Sequence, residues 1–243
     1  MPTVLILGAT SDIGFAIAKI FASNGYAVQL AGRNTKQLNP LQSDIQIRYD
    51  VQCSAHFFDA VDFPSHQNFY NSLPVKPDVA VYVIGYMGDN EKVIGDWNES
   101  LKTINSNYTG AVSILNIIAA DYASKQQGTV VGISSVAGNR GRQSNYIYGS
   151  AKAAFTAYLS GLRNKMYHSK VHVLTVLPGF VNTKMTSHLK LPKPLTAQPD
   201  EVAKAVYNGV KKKKNIIYVK WFWKWIMLII TSIPESMFKK KKL

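Results

Sequence analysis

The sequence contains few cysteines, few acidic side chains and few arginines. Its 243 residues include one cysteine, Cys53, so no intramolecular disulfide can form and a disulfide scaffold is excluded. The 14 acidic residues are outnumbered by 28 lysines and arginines, and the net charge is +14. Only five of these basic residues are arginines, whereas nucleic-acid-binding proteins more often carry arginines across a folded face. We therefore expect no nucleic-acid partner.

The rest of the composition is typical of one globular domain. Apolar residues make up 47% of the chain, which provides a sizeable core and excludes a disordered or collagen-like protein. A chain of this length is too short to hold a separate substrate domain comfortably beside this core, so we expect a single domain. The first residues pass directly into an apolar run with no basic leader segment, and we therefore expect a cytoplasmic protein.

Short apolar runs alternate with helical patterns through most of the sequence. The predicted strands cover residues 4–7, 27–31, 56–61, 79–84, 129–133, 171–176 and 216–219, and the predicted helices cover residues 13–24, 65–72, 98–124, 147–167 and 200–210. Such alternation is typical of a parallel sheet with helices on both faces. We therefore predict an α/β fold with a doubly wound parallel sheet of about seven strands.

A glycine-containing turn joins the first predicted strand to the first helix. A turn in this position presents free backbone N–H groups at a helix N-terminus, where they suit a pyrophosphate. The residues assigned to this site are Gly8, Thr10, Ser11, Asp12, Ile13 and Gly14. The turn alone is equally compatible with glycines that only relieve backbone strain. The carboxylate of Asp12 would oppose a bound anion unless it caps the helix or turns outward.

A basic residue, Arg33, follows the second predicted strand, where the adenine ribose of a dinucleotide would lie. An arginine at this point favours the 2′-phosphate of NADPH, whereas an acidic residue would favour NADH. We therefore expect NADP(H) to be preferred over NAD(H). The alternative is that Arg33 is an ordinary surface residue.

Tyr148 and Lys152 are four residues apart in a predicted helix, so they face the same side. An ammonium near a phenol favours the phenolate, and a tyrosine whose pKa is lowered towards neutrality can act as a general acid on a carbonyl oxygen. Ser135 follows the fifth predicted strand, from where its hydroxyl can donate to the same oxygen. Tyrosine and lysine also occur by chance at this spacing, and it is Ser135 that favours a catalytic interpretation.

Together these residues resemble the short-chain dehydrogenase/reductase family over the chain up to about residue 209. The positions that carry the resemblance are the turn at residues 8–14, Asp62 after the third strand, the segment 78–85 ending in Gly85, Asn107, Ser135, Tyr148, Lys152, Pro178, Gly179, Val181 and Thr183. The resemblance implies a Rossmann-type fold and hydride transfer between a nicotinamide cofactor and a carbonyl group. It also implies a homodimer or homotetramer that pairs through helices 98–124 and 147–167.

The resemblance assigns a role to each matched residue. Tyr148 is implied to be the general acid, Ser135 to polarise the carbonyl and Lys152 to hold the nicotinamide ribose. Asn107 is implied to support a proton-relay water, and Asp62 to contact the adenine. Gly85 and the segment containing Pro178, Gly179, Val181 and Thr183 are implied to lie against the cofactor.

The positive charge is concentrated near the C-terminus, where residues 204–243 contain eleven lysines and one acidic residue. We divide the chain into a reductase domain at residues 1–215 and a last strand with an apolar, basic tail at residues 216–243. The apolar stretch 221–233 is shorter than the roughly 20 residues that a bilayer crossing needs. Its three tryptophans and flanking lysines favour a segment at the headgroup level of the cytoplasmic membrane face. Packing on a partner subunit and a tilted span are the alternatives.

A basic aromatic tail beside a reductase site predicts a substrate presented at a membrane. The tail and the variant glycine turn are most similar to the family branch containing decaprenylphosphoryl-2-keto-arabinose reductases, which act on polyprenyl-phosphate-linked keto sugars. We therefore expect reduction of a lipid-linked carbonyl. A ketoacyl or other lipid-ketone reductase is the first alternative, and a non-catalytic cofactor-binding regulator or membrane-surface protein is the second.

We expect no metal site, because a strand beginning near residue 171 separates His168 from His172.

Overall fold

The computed structural model describes residues 1–187 and 189–241. Within this part of the chain, the main sheet contains seven strands, all parallel. In their order across the sheet they are β3 (Cys53–Phe57), β2 (Ala27–Gly32), β1 (Thr3–Leu7), β4 (Val79–Tyr82), β5 (Thr129–Ile133), β6 (His172–Pro178) and β9 (Ile216–Val219). A separate ribbon pairs β7 (Phe180–Val181) with β8 (Thr196–Ala197). The predicted α/β fold with a seven-stranded parallel sheet is confirmed.

Helices cover both faces of the sheet. In chain order they are α1 (Asp12–Ala22), α2 (Thr35–Tyr49), α3 (His66–Ser72), α4 (Asn90–Gly95), α5 (Trp97–Ile104), α6 (Gly110–Lys125), α7 (Tyr146–Met166), α8 (Pro199–Lys211), α9 (Phe222–Ser232) and α10 (Glu235–Phe238). Successive strand residues point to opposite faces, so Val4 and Ile6 join one apolar cluster and Leu5 and Leu7 the other. The first cluster includes residues of α1, α2 and α8, and the second includes residues of α3, α6 and α7.

The third strand differs from its prediction at both ends. It begins at Cys53, three residues earlier than predicted, and it ends at Phe57, four residues earlier than predicted. Pairing with β2 stops where Phe57 lies opposite Gly32. The next residue, Phe58, is buried and packs against Phe69 of α3, with ring centroids 4.7 Å apart. The chain therefore leaves the sheet earlier than the apolar pattern indicated.

Two helical regions also differ from their predictions. The predicted helix 98–124 is divided into α5 and α6 by a π turn at Asn105–Thr109. At the end of this turn, a Cβ on Gly110 would overlap the Ala60 carbonyl oxygen, so the loop after β3 lies directly against the helix. Sequence analysis did not predict α2, which contains Pro40 and buries only Leu38 and Ile45 of its described residues.

The C-terminal segment folds back onto the same chain, an arrangement that sequence analysis did not predict. Trp223 and Met227 of α9 are 4% and 1% exposed, and they form a third apolar cluster with Val136 and Leu177. No helix in the described part of the chain is long and apolar enough to cross a membrane. Lys242 and Leu243, which end the predicted tail, lie outside the described residues.

Arg140 fastens the end of α9 to the connection between β5 and α7. Its Nη1 atom donates to the carbonyl oxygens of Ile230, Thr231 and Ile233 at 2.9, 3.1 and 2.6 Å. These acceptors lie in the last turn of a helix, where carbonyl groups lack partners within the helix itself. The guanidinium also lies 3.8 Å from the ring centroid of Phe238. One arginine therefore caps α9 and holds α10.

Candidate active site

The carboxyl ends of the parallel strands carry the predicted site residues. The strand order reverses between β1 and β4, because β2 and β3 extend the sheet on one side and β5, β6 and β9 extend it on the other. Ligands of doubly wound sheets bind in the crevice outside such a switch point. The glycine turn follows β1 at this crevice, Ser135 follows β5, and Pro178 ends β6.

The glycine turn is shaped to receive an anion. Gly8 has a φ of +105°, a conformation that favours glycine. A Cβ on Gly14 would overlap the Gly8 carbonyl oxygen, so the turn and helix α1 approach too closely for a side chain. Within residues 1–187 and 189–241, the backbone N–H groups of Thr10, Asp12 and Ile13 have no hydrogen-bond acceptor. Three free donors at a helix N-terminus fit a pyrophosphate.

The Asp12 carboxylate turns outward from this turn. Its Oδ2 atom accepts a hydrogen bond from the backbone N–H of Lys184 at 2.7 Å. Ser11 supplies the helix cap instead, because its Oγ atom accepts from the Gly14 N–H at 3.0 Å. The negative charge of Asp12 therefore anchors the loop after β7.

A groove runs from the glycine turn across the end of β2. We call it the cofactor groove, and its predicted members are Gly8, Thr10, Ser11, Arg33 and Gly85. Asp62 was expected here, and this expectation needs correction, because Asp62 is exposed outside the groove and Asp59 lines it. The reason is the early end of β3, which brings an acidic residue two positions after the strand to the crevice. Sequence analysis missed Asp59 because the predicted strand, residues 56–61, ran past it.

A pocket adjoins the cofactor groove and contains the three reactive side chains. This reactive pocket is lined by Ser135, Tyr148 and Lys152, and it shares Val83, Gly85 and Met185 with the groove. The other predicted residues that line it are Ile13, Pro178, Gly179, Val181 and Thr183.

The reactive side chains are held by the elements that carry them. The Ser135 Oγ atom accepts from the Ala137 N–H at 3.1 Å, which fixes the turn after β5. Lys152 reaches across from α7, and its Nζ atom donates to the Ile133 carbonyl oxygen at 3.1 Å. The same Nζ atom lies 5.8 Å from the centroid of the Tyr148 ring. The spacing of four residues therefore places both side chains on the pocket-facing side of α7.

Burial dominates the protonation of the tyrosine and the lysine. It raises the pKa of Tyr148 to about 12, although a hydrogen bond with Ser135 acts in the opposite direction. It lowers the pKa of Lys152 to about 7. We expected the ammonium to lower the pKa of Tyr148, whereas in the structure the effect of burial is larger and raises it. Loss of water disfavours both charged forms, so the neutral phenol is the resting state.

Asn107 lies behind Gly85 at the π turn. Its Nδ2 atom donates to the carbonyl oxygens of Tyr86 and Thr103 at 2.6 and 2.8 Å, and its Oδ1 atom accepts from the Tyr86 N–H at 3.4 Å. A Cβ on Gly85 would lie 3.0 Å from Asn107 Oδ1 and 3.5 Å from Lys152 Nζ. Asn107 therefore holds the loop after β4 beside the reactive pocket.

Arg142, Asn145 and Trp223 are among the residues of the reactive pocket that sequence analysis missed. Arg142 and Asn145 lie in the connection between Ser135 and Tyr148, and this position was an available signal. Trp223 comes from α9, and a Cβ on Gly179 would overlap its indole ring. The indole Nε1 atom donates to the Leu195 carbonyl oxygen at 3.2 Å. No local pattern in the sequence indicates this long-range contact.

Comparison with known proteins gives the family. A model of short chain dehydrogenases matches residues 2–193. The chain belongs to the short-chain dehydrogenase family. An uncharacterized oxidoreductase of Mycobacterium tuberculosis is 30% identical to this short-chain dehydrogenase over 240 residues, which cover 98% of this chain and 96% of the relative. The 3-oxoacyl-(acyl-carrier-protein) reductase of Chlamydia trachomatis is 27% identical over 223 residues, which cover 84% and 87%.

Solved structures share the fold of this short-chain dehydrogenase. A short-chain dehydrogenase from Sphingobium yanoikuyae in complex with NADPH has a TM-score of 0.83 and 22% identity, and the match covers 97% of this chain and 98% of that one. The family membership makes the protein an oxidoreductase. Its site is consistent with NAD(P)-dependent reduction of a carbonyl group.

The buried amine of Lys152 predicts a pH-dependent stability of the cofactor-free protein. The pKa of Lys152 falls from 10.5 to about 7 on folding. Between these values the unfolded chain binds more protons, so the free energy of unfolding rises with pH. From about pH 7 to about pH 8.5, the rise due to this group should be at most about 2 kcal/mol. Urea unfolding of Lys152→Met should lack this rise.

Lys165→Met is the matched control, because Lys165 is an exposed lysine on the same helix. It should keep the wild-type dependence on pH. An undiminished rise in Lys152→Met would contradict the lowered pKa.

Proposed function

We propose that the protein reduces a ketone to an alcohol with NADPH at the reactive pocket. The observation that carries this proposal is the convergence of Ser135, Tyr148 and Lys152 on one pocket that adjoins a glycine-turn groove. When bound, the nicotinamide ring supplies the hydride. A cofactor-binding regulator would have no need for these three side chains in reactive positions.

Each reactive side chain has a separate task. The Tyr148 hydroxyl, neutral because burial raises its pKa to about 12, donates a proton to the carbonyl oxygen as negative charge develops there. The Ser135 hydroxyl donates a hydrogen bond to the same oxygen. Burial lowers the pKa of Lys152 to about 7, and its ammonium form stabilises the phenolate left on Tyr148.

Tyr148→Phe tests the reaction. It removes the proton donor, so kcat for ketone reduction should fall by about 10² to 10³. The dissociation constant for NADPH, followed by nicotinamide fluorescence, should change by less than about twofold. Tyr146→Phe is the control, because Tyr146 begins the same helix and is largely exposed. Full turnover in Tyr148→Phe would refute the assignment, and failure of the wild type to reduce any ketone would favour the non-catalytic alternative.

The cofactor groove supports a preference for NADPH. Arg33 follows β2 and lines the groove, and the next residue, Asn34, caps α2. A guanidinium at the end of this strand can pair with a 2′-phosphate. The acidic residue that the groove does contain, Asp59, follows β3.

Arg33→Ala should therefore weaken NADPH binding by about tenfold or more, since a charged hydrogen bond is lost. Binding of NADH should be almost unchanged. Fluorescence titration of both cofactors measures the two constants. Arg48→Ala provides the control, because Arg48 is exposed and pairs with Asp44 on α2. Equal losses for NADPH and NADH would contradict recognition of the 2′-phosphate.

The walls of the reactive pocket support a substrate with an apolar part. Phe180, Met185, Leu189 and Trp223 line it. A ketone carried on a polyprenyl phosphate, such as a keto sugar, is the substrate class that we favour. A ketoacyl or other lipid ketone is the alternative, and the similarity to the 3-oxoacyl-(acyl-carrier-protein) reductase of Chlamydia trachomatis supports it.

The outer face of α9 supports attachment to an anionic membrane surface on the cytoplasmic side. Trp221, Trp225 and Ile229 are 74%, 54% and 67% exposed, although their helix packs its other face into the chain. Exposed lysines flank α9 in the sequence, at residues 211–214 before it and 239–241 after it. Tryptophan with lysine suits the headgroup region of a bilayer that carries negative charge. This face also lies on the helix that lines the reactive pocket.

A double variant, Trp225→Ser with Ile229→Ser, tests the attachment without removing Trp223 or Met227. Sedimentation with phosphatidylglycerol vesicles should decrease by about tenfold or more, because two exposed apolar side chains are lost. The control is Ile47→Ser with Val75→Ser, which removes two exposed apolar side chains from α2 and from the loop before β4. Sedimentation that is equal for both double variants would exclude α9 as the membrane-binding face.

We also propose that two or four copies associate through the outer surfaces of α5, α6 and α7, as the family resemblance implies. Trp97 and Leu101, one helical turn apart on α5, are exposed and support this arrangement.

A further inference from the structure

Arg142 lies in the reactive pocket, and none of the acidic residues in the described ranges forms an ion pair with it. It belongs to the connection between Ser135 and Tyr148, and its side chain is half-buried. Its Nη2 atom donates to the Met227 thioether sulfur at 3.3 Å, which is a weak acceptor. Its Nε atom is buried, and no residue in the described part of the chain accepts a hydrogen bond from it.

Two other half-buried arginines near the sheet, Arg140 and Arg163, are satisfied by oxygen atoms. Arg140 binds three backbone carbonyls of the C-terminal segment and the Glu235 carboxylate. Arg163 binds the carbonyl oxygens of Val173 and Asn215 and the hydroxyl of Thr175. Arg142 makes none of these contacts, although removing a guanidinium from water without a partner is costly. Burial accordingly lowers the pKa of Arg142.

The charges that face the reactive pocket are positive. Arg142 and Lys152 line it, and the described lining residues include no aspartate or glutamate. Arg142 lines the pocket but not the cofactor groove, which has its own arginine at residue 33. The position of Arg142 beside Met227 places it towards α9. An anion on the substrate side of the pocket would supply the missing partner.

A second unpartnered atom lies close by in the sequence. Asn145 lines the same pocket, and its Oδ1 atom is buried without a hydrogen-bond donor in the described residues. Asn145 precedes α7 but does not use its side chain to cap the helix. Its Oδ1 atom is therefore available to accept a hydrogen bond from a substrate hydroxyl.

We propose that Arg142 is a specificity-determining residue that binds an acidic group, a phosphate ester or a carboxylate, carried by the ketone substrate. This inference rests on the proposed function and narrows its substrate class to amphiphilic anions. The acidic group pairs with the guanidinium, Asn145 Oδ1 accepts a hydrogen bond from a substrate hydroxyl, and the apolar chain lies against Trp223 and Phe180. Arginine suits this task because its planar donors match the oxygens of both acid groups.

Three ligands with the same alkyl chain separate charge from apolar contact. They are decyl phosphate, decanoate and decanol, each used below its aggregation limit and titrated into the full-length protein with NADPH present. Tryptophan fluorescence reports binding, because Trp223 lines the pocket. We expect at least one of the two anions to bind about tenfold or more tightly than decanol. The stronger of the two identifies the acid group, whereas equal binding of all three ligands would overturn the proposal.

Variants at residue 142 assign the effect to the guanidinium. Arg142→Gln should weaken the preferred anion by about 10- to 100-fold and leave decanol unchanged, while Arg142→Lys should restore part of the affinity. Lys239→Gln, which removes one exposed charge from the tail, should bind like the wild type. Undiminished anion binding in Arg142→Gln, or an equal loss in Lys239→Gln, would overturn the proposal.

These titrations measure binding without turnover, so they separate this inference from the proposed reaction. The NADPH dissociation constant of Arg142→Gln should stay within about twofold of the wild type, because Arg142 lies outside the cofactor groove. Reduction of a neutral ketone tests the reductase itself. A protein that reduces neutral ketones but shows no preference for anions would retain the proposed function and refute the role of Arg142.

Discussion

The contact between Gly179 and Trp223 is the constraint on which the reactive pocket depends. A side chain at residue 179 would occupy the space of the indole ring. Residue 179 must therefore be glycine for α9 to approach the loop after β6. The indole then holds Leu195 through its backbone oxygen, and Met227, one helical turn further, meets Arg142. The pocket therefore has one wall from the parallel sheet and another from the C-terminal helix. A helix that looks like an appendage in the sequence is part of the site.

Electrostatics and burial act together in this pocket. Two basic side chains line it, and the described lining contains no acidic counterion, so its interior favours negative charge. Carbonyl reduction develops negative charge on oxygen, and preformed donors in a dry pocket stabilise that charge more effectively than water does. The Asp12 carboxylate does not oppose an anion at the glycine turn, because it accepts a hydrogen bond from the Lys184 backbone N–H rather than facing the free N–H groups of the turn.

The sequence predicted the features that depend on local pattern. The seven strands, the glycine turn and the shared face of Tyr148 and Lys152 follow from apolar runs and from the spacing of residues on a helix. The contact of Asp59 with the groove was missed, because it depends on where β3 leaves the sheet, and the packing of Phe58 decides this. Helix α2 was missed because its proline and polar composition conceal it.

Features that depend on tertiary contacts lay beyond the sequence. The pKa values of Tyr148 and Lys152 reflect burial, which no spacing reveals. The hydrogen bonds of Arg140 also join distant parts of the sequence, since its partner Ile233 lies more than ninety positions away. Trp223 was correctly noted as an aromatic residue of the tail, but its partner Gly179 could not be identified without the fold.

The two faces of α9 differ in how freely their sequence can vary during evolution. Trp223 and Met227 on the inner face contact Gly179 and Arg142, so a substitution at either position alters the wall of the reactive pocket. Trp225 and Ile229 on the outer face are exposed, and substitutions at exposed positions away from packed contacts cost little stability. The outer face can therefore change between relatives without a change in the reactive pocket, whereas the inner face can change only together with the residues that it contacts.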